Sequence, residues 1–347
     1  MNHKLPLIIV ADMGATFSRL AFIDEYQAIR HVKVYPSCDF HSPKEVISTY
    51  LAELNEESPD HIFIAVATPI INDRLILTNN HWDFSQQEIA QDLNTKVTFI
   101  NDFEALSLSL DHLSHLETME IGQHVEHKLP HAIHHSKAVI GTGTGFGTAM
   151  SLQTEHGMIS VPSEGGHALY APQDCVETAL LDLAIKELHR PVIVEDLLAC
   201  KDGISRLIRL MATLDNISEI TFDSTPEGLL SAALETKDDF ALTVLERYCM
   251  MLGNVASNIA LTTGATGGIY IGGGFSPRFS EFLQTSKFRE CFVNKESVAK
   301  ILETIPTYLI THPYATLVGL QQILPRYLSS LRGAYVIPYP KSLSPSS

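Results

Sequence analysis

Three short segments carry the residue types that hold phosphate: Asp12-Met13-Gly14-Ala15-Thr16, the run of residues 141–147 (Gly-Thr-Gly-Thr-Gly-Phe-Gly), and Gly272-Gly273-Gly274. Backbone N–H groups exposed by glycine and hydroxyls from threonine can cradle phosphate oxygens. Neither familiar nucleotide signature is present. The glycines at 141, 143, 145 and 147 do not match the G-x-G-x-x-G spacing in either phase, and no G-x-x-x-x-G-K-[ST] occurs. A Gly-rich hairpin alone reads as a turn, but three such loops, two of them beginning beside Asp12 or ending a buried strand, shift the balance toward phosphate. Asp102 lies just after an apolar strand and reads either as a cap for the helix that follows or as a positioned carboxylate base. The histidines at 124, 127, 131, 134 and 135 are not interleaved with an ordered set of Cys or carboxylate ligands and flank Pro130, so they read as a solvated connection, not a metal site.

The elements that must hold these loops are legible in part. Residues 7–10 and 19–23 form a strand pair whose turn is the first loop. Ser42, Pro43 and Glu45 open a helix with Ile47, Tyr50, Leu51 and Leu54 on one face. Residues 61–66 and 96–100 are strands, and residues 103–110 are helical. The same grammar returns in strands 138–140 and 148–152 around the second loop. Two such units, about one domain length apart, indicate a duplicated α/β module. Residues 240–259 form a long buried helix stopped by Gly264. Strand 268–271, the triple glycine and a helix opened by Ser276 and Pro277 make an anion or nucleotide platform. Residues 336–347, rich in Pro and Ser, read as a disordered tail.

Composition narrows the function classes. With 24 Lys+Arg against 40 Asp+Glu the formal charge is −16, which argues against a nucleic-acid backbone or an anionic membrane as partner. No apolar run is long enough to span a bilayer. Five scattered cysteines with no C-x-x-C pair fit a reducing cytoplasm. Hydrophobic residues at 45% supply a sizeable core.

The residues also carry a resemblance. Asp12 through Arg19 resembles the D-x-G-G-T-N-x-R of the bacterial glucokinase family, ATP-dependent sugar kinases of the hexokinase–actin fold group. Leu77-Thr78-Asn79-Asn80-His81-Trp82 resembles that family's L-T-N-x-x-W, and Ile100-Asn101-Asp102-Phe103-Glu104-Ala105 its I-N-D-F-x-A. The 141–147 run resembles G-x-G-T-G-L-G, Glu164-Gly165-Gly166-His167 matches E-G-G-H, and residues 271–279 resemble G-G-x-x-P-R-F. The match runs from about residue 7 to 320, in order. The cysteine zinc motif of the repressor/ORF/kinase branch is absent.

The resemblance implies a role for each matching residue. Asp102 would be the base that takes the sugar hydroxyl proton. Asn101, Glu164, His167 and Glu195 would bind the sugar, the last by its place in a V-E-x-x-L segment, although an exposed helix glutamate reads equally well there. Amides, carboxylates and imidazole are the groups that recognise a neutral polyol. Gly14 and Thr16 would meet the β- and γ-phosphates, and Thr142, Gly143 and Thr144 the other side. Gly273 and Gly274 would let adenosine lie against backbone, and Gly165-Gly166 would allow close approach to ligand. Asp12 would hold Mg²⁺, directly or through water. The sequence departs from the pattern at Ala15, which replaces a glycine, at Phe17, which replaces an asparagine, and at residues 199–203, which replace a small S-G-x-G loop.

The fold expected is α/β, with two ribonuclease-H-like (hexokinase/actin-type) domains and a cleft between them. The boundaries expected are 1–112 plus 313–335 for the small domain and 113–312 for the large one. The function implied is ATP- and Mg²⁺-dependent phosphorylation of glucose to glucose 6-phosphate, in glycolysis, by a cytoplasmic homodimer. Alternatives are a non-catalytic or weakly active sugar-binding regulator on the same fold, a kinase for another hexose, or an actin-like assembly protein.

Overall fold

A computed structural model of the chain describes residues 6–56, 58–77, 80–123, 125, 135–154 and 157–324. In the first part β1 (Ile8–Met13), β2 (Phe17–Ile23) and β3 (Ile29–Pro36) precede α1 (Pro43–Leu54) and β4 (His61–Val66). A small hairpin of β5 (Arg74–Ile76) and β6 (Asp83–Ser85), then α2 (Gln86–Asp92), β7 (Lys96–Asn101) and α3 (Asp102–Ser109) follow. These strands form a sheet ordered β3-β2-β1-β4-β7, in which β1, β4 and β7 are parallel and β2 and β3 antiparallel.

The second part contains β8 (Thr118–Glu120), β9 (Ser136–Thr142), β10 (Phe146–Thr154), β11 (Gly157–Ser163), α4 (Cys175–Leu188), α5 (Glu195–Leu198), α6 (Gly203–Leu214), α7 (Pro226–Leu230) and α8 (Asp239–Thr263). It continues with β12 (Ile269–Gly272), α9 (Ser280–Thr285), α10 (Phe288–Val293), α11 (Ala299–Leu302), β13 (Thr307–Ile310) and α12 (Ala315–Gln321). Its sheet runs β11-β10-β9-β12-β13-β8, with β9, β12 and β13 parallel and β10 and β11 antiparallel. Apart from the added β8, the strand order and directions repeat those of the first sheet. The duplication expected from the recurring strand–loop–strand grammar is therefore present as topology.

Local chemistry explains the elements that were legible. Ser42 accepts the Glu45 N–H and Pro43 sits at the first turn of α1, while the Glu45 carboxylate accepts the His41 N–H at 2.7 Å. Helix α8 ends at Gly264, whose φ of 63° is the left-handed conformation that glycine adopts freely. One expectation is corrected. Ser276 and Pro277 open only a 3₁₀ turn, Ser276–Phe279, before the short α9, and the Ser276 side chain caps nothing. The triple glycine therefore does not feed a long helix with a strong N-terminal dipole. Residues 336–347 and the histidines at 124, 127, 131 and 134 lie outside the described residues.

Helix α3 lies between the two sheets. Its Ala105 joins Leu317 and Leu320 of α12, Ile8, Val10 and Ala21, and Phe63 in one cluster under the first sheet. Its Phe103, Leu106 and Leu110 join Val139, Ala149 and Tyr270 under the second. Each of the Ile, Leu, Val and Phe side chains buried here contributes about 1.5–3 kcal/mol. Helix α12 can cross α3 closely because Gly319 has no side chain: a Cβ there would fall 1.7 Å from the Ala105 carbonyl oxygen. The large cluster around α8 fills the other face of the second sheet.

Candidate functional site

The candidate residues lie where parallel strands end. On β1 and β4, Asp12 pairs in register with Ala65, and on β4 and β7, Val66 pairs with Asn101. Asp12 and Asn101 thus leave the same edge of the sheet, two strand spacings or about 10 Å apart. Ligands in open α/β sheets bind outside these carboxyl ends. In the second sheet Gly141 on β9 pairs with Gly272 on β12, which puts the second loop and the triple glycine side by side.

Asn101, not Asp102, caps α3. Its Oδ1 accepts the N–H groups of Phe103 at 2.9 Å and Glu104 at 3.2 Å. Asp102 is the first helical residue, and its Oδ1 also accepts the Phe103 N–H at 2.9 Å. Relieved of the cap, Asp102 is a carboxylate held rigidly at the strand end. Burial pushes its pKa up to about 7, with the Asp12 carboxylate adding to the rise and the Phe103 N–H and Asn101 amide opposing it. Burial likewise raises Asp12, opposed by the Arg19 guanidinium, whose Nη1 lies 3.2 Å from Asp12 Oδ2. The sequence motif included Arg19 but assigned it no role; it sits opposite Asp12 in the β1–β2 ladder.

The first loop turns between β1 and β2 with its Gly14 N–H bonded to the Phe17 carbonyl at 3.1 Å. Gly14 therefore supplies room, since a Cβ would sit 2.9 Å from that oxygen, and not a free donor. Ala15 has no left-handed φ, so replacing the glycine costs no backbone strain here. Thr16 and Phe17 are exposed.

In the second loop the Thr142 hydroxyl is buried, 2.5 Å from the Tyr248 hydroxyl, and faces the core rather than the loop's open side. Gly143, Thr144 and Gly145 are half-exposed. Residues 199–203 pack against this loop: the N–H groups of Cys200 and Lys201 bond to the carbonyls of Gly143 and Thr144. Gly273 has a φ of 84°, and its Cβ position falls 2.4 Å from the Thr142 carbonyl oxygen, so its close approach is to the protein itself. Gly274 faces open space.

Glu164 precedes a 3₁₀ turn, Gly165–His167, and its Oε2 lies 3.5 Å from His167 Nδ1. Both side chains are more than half exposed, at 64% and 60%. The glycines between them again serve the fold. A Cβ on Gly166 would fall 2.0 Å from the Phe146 carbonyl, and one on Gly165 would fall 2.9 Å from the Thr148 hydroxyl. That hydroxyl accepts the Gly165 N–H at 2.9 Å and donates to the Ser163 carbonyl at 3.1 Å. Thr148 thus sets the turn that presents Glu164 and His167, a role no local pattern announced. Glu195 begins α5 and accepts the Phe146 N–H at 3.1 Å, which joins it to the second loop.

A family model described as Glucokinase matches residues 9–326. The chain is 33% identical over 324 residues to the glucokinase of Hahella chejuensis, covering 92% of this chain and 98% of that one. The solved structure of a glucokinase from an Antarctic psychrotroph superposes with a TM-score of 0.79 at 30% identity, covering 93% of this chain and 100% of that one. A ROK family glucokinase from Streptomyces griseus, in complex with glucose and AMPPNP, shares the fold at a TM-score of 0.57 and 17% identity over 91% of this chain and 98% of that one. Paired sheets of one topology, with the loops at their strand ends, are those of sugar kinases of the hexokinase/actin-type fold. The chain belongs to the glucokinase family. No described helix is long and apolar enough to cross a membrane.

Proposed function

We propose that the chain transfers the terminal phosphoryl group of ATP to the 6-hydroxyl of glucose. Family membership gives the reaction class, and the observation that carries the mechanism is Asp102, a rigid carboxylate at a strand end with its pKa pushed up to about 7. A base poised near the working pH is what a hydroxyl nucleophile needs. Asp102 takes the hydroxyl proton as the oxygen bonds to the γ-phosphorus. The bond from that phosphorus to the β–γ bridging oxygen breaks, and its electron pair leaves on ADP. Glu164, His167, the Asn101 amide and Glu195 hold the sugar, and the two Gly/Thr loops hold the phosphates, the second through the Thr144 and Gly145 N–H groups, since the Gly143 N–H is taken by the Gly145 carbonyl at 3.0 Å. Gly274 leaves room for the adenosine.

Asp12 fits Mg²⁺: it is a hard oxygen donor, Arg19 occupies its Oδ2, and its Oδ1 takes no partner among the described residues. When bound, the ion would spread charge over the β- and γ-phosphate oxygens. We divide the chain into a small unit, 1–112 with 313–335, and a large one, 113–312, with the sugar between them. The packing of α12 under β1 and β4 supports that return. Five free cysteines support a cytoplasmic location, and we place the product, glucose 6-phosphate, in glycolysis. The exposed cross-strand pair Leu152 and Ile159, with Val161 on the edge strand β11, supports a homodimer.

The test is product formation by purified protein from ATP and glucose. Wild type forms glucose 6-phosphate, and Asp102→Ala lowers kcat about 10²–10⁴-fold. Sugar binding without product from wild type would reject the kinase in favour of a sugar sensor.

A further inference from the structure

In both Gly/Thr loops the carbonyls are taken and the N–H groups beyond them are left open. In the first loop the Gly14 carbonyl accepts from Ser37 Oγ at 2.8 Å, the Ala15 carbonyl from Asn80 Nδ2 at 3.3 Å, and the Thr16 carbonyl from the Ser37 N–H at 2.9 Å. In the second, the Gly143 carbonyl accepts from the Cys200 N–H at 3.1 Å and the Thr144 carbonyl from the Lys201 N–H at 3.3 Å. The N–H groups of Ala15 and Thr16, and those of Thr144 and Gly145, take no partner among the described residues.

The pairing follows from peptide geometry. The Gly14 carbonyl and the Ala15 N–H belong to one trans peptide plane and point in opposite directions. Drawing that carbonyl toward Ser37 turns the Ala15 N–H the other way, and drawing the Ala15 carbonyl toward Asn80 does the same for the Thr16 N–H. The tethers on Gly143 and Thr144 orient the N–H groups of Thr144 and Gly145 likewise. Without a tether a peptide flip would present a carbonyl where a donor is needed, and a phosphate would meet a like partial charge.

The two loops differ in where the tethers come from. The second is held by backbone, so the departures in side chain at Cys200 and Lys201 leave its tethers intact. The first depends on side chains. Ser37 is fully buried in the 3₁₀ turn after β3. Its single hydroxyl proton goes to the Gly14 carbonyl, so the 3.0 Å bond between Ser18 Oγ and Ser37 Oγ is donated by Ser18. Phe17, standing where an asparagine is expected, offers no hydrogen bond from its side chain.

We propose that Ser37, with Asn80, is the positioning residue of the first phosphate loop, holding its peptide planes so that the Ala15 and Thr16 N–H groups face the terminal phosphates of ATP. The inference rests on the kinase reading above, and it deepens it. The experiment compares wild type, Ser37→Ala, Ser37→Thr and Asn80→Ala by calorimetric binding of ATP and of AMP, and by steady-state kinetics. The expected result is a loss of ATP affinity of about 3–10-fold in each alanine variant, with AMP affinity and the KM for glucose unchanged. Ser37→Thr, which keeps the hydroxyl, recovers ATP affinity. Should Ser37→Ala fail to fold, the half-exposed Asn80→Ala decides. Unchanged ATP affinity in the folded alanine variants, an equal loss for AMP, or no ATP binding by wild type would each overturn the proposal. Wild type that binds ATP but forms no glucose 6-phosphate overturns the kinase reading alone, and the binding comparison still decides the role of Ser37.

Discussion

In the proposed mechanism Asp102 couples activity to stability. Its folded pKa of about 7 lies above its ordinary value of 3.8, so the native state holds the proton more tightly than the unfolded chain does. That contribution favours the fold below pH 3.8 and is lost progressively as pH rises to about 7. Asp102→Asn removes the buried charge but keeps an acceptor for the Phe103 N–H. We expect it to unfold at higher urea than wild type at pH 8, by about 2 kcal/mol, and to differ little at pH 4. Coincident unfolding curves at pH 8 would show that the carboxylate carries no such cost. For wild type, kcat/KM should fall as pH drops through about 7. The local sequence showed a strand-end Asn-Asp pair but not which residue would cap. Asn101 takes that role in the structure, which leaves Asp102 for the proposed chemistry. The reach of Ser37 to Gly14 and of Thr148 to Gly165 was not legible either, because hydroxyls that bond across strands leave no spacing signature.

At the scale of elements, α3 transmits both sheets to the site. It starts at Asn101 and Asp102 and is pressed on three sides where glycines let neighbours approach. Phe103 fills the space over Gly147, Leu106 lies over Gly272, and Ala105 meets Gly319 of α12. Gly319→Ala forces α12 away from the Ala105 carbonyl. We expect a loss of about 1–3 kcal/mol in urea unfolding together with a lower kcat, because the helix carrying Asp102 must shift. Lost stability with wild-type kcat would show that α12 does not help place α3. Helices α1 and α8 were legible because caps and a 3.6-residue period act within one segment. Strand β3 was missed: its exposed residues, such as Val34, give no alternation, and it is held by pairing with β2. The helix expected after Gly274 opens as a 3₁₀ turn ahead of the short α9, and in that turn Phe275 and Phe279 pack against Tyr248.

For the whole molecule, ligand binding and folding are linked. A ligand present at 100 times its Kd adds about 2.7 kcal/mol to the native state. Glucose should raise the thermal midpoint of wild type, and a Glu164→Gln, His167→Ala double variant should lose that rise while its unliganded midpoint stays near wild type, since both side chains are exposed. An undiminished rise would place the sugar elsewhere. The net charge of −16 is compatible with one nucleotide, because the proposed phosphate donors are backbone N–H groups and not a basic patch. By itself the sequence determined the residue types, the order of the motifs and the doubled strand–loop–strand plan, since caps, periods and glycine loops are written in adjacent residues. Only the tertiary structure decided which donors are free. A carbonyl's partner, a glycine's neighbour and a carboxylate's burial each depend on a residue far away in the chain, and chain order does not encode that distance.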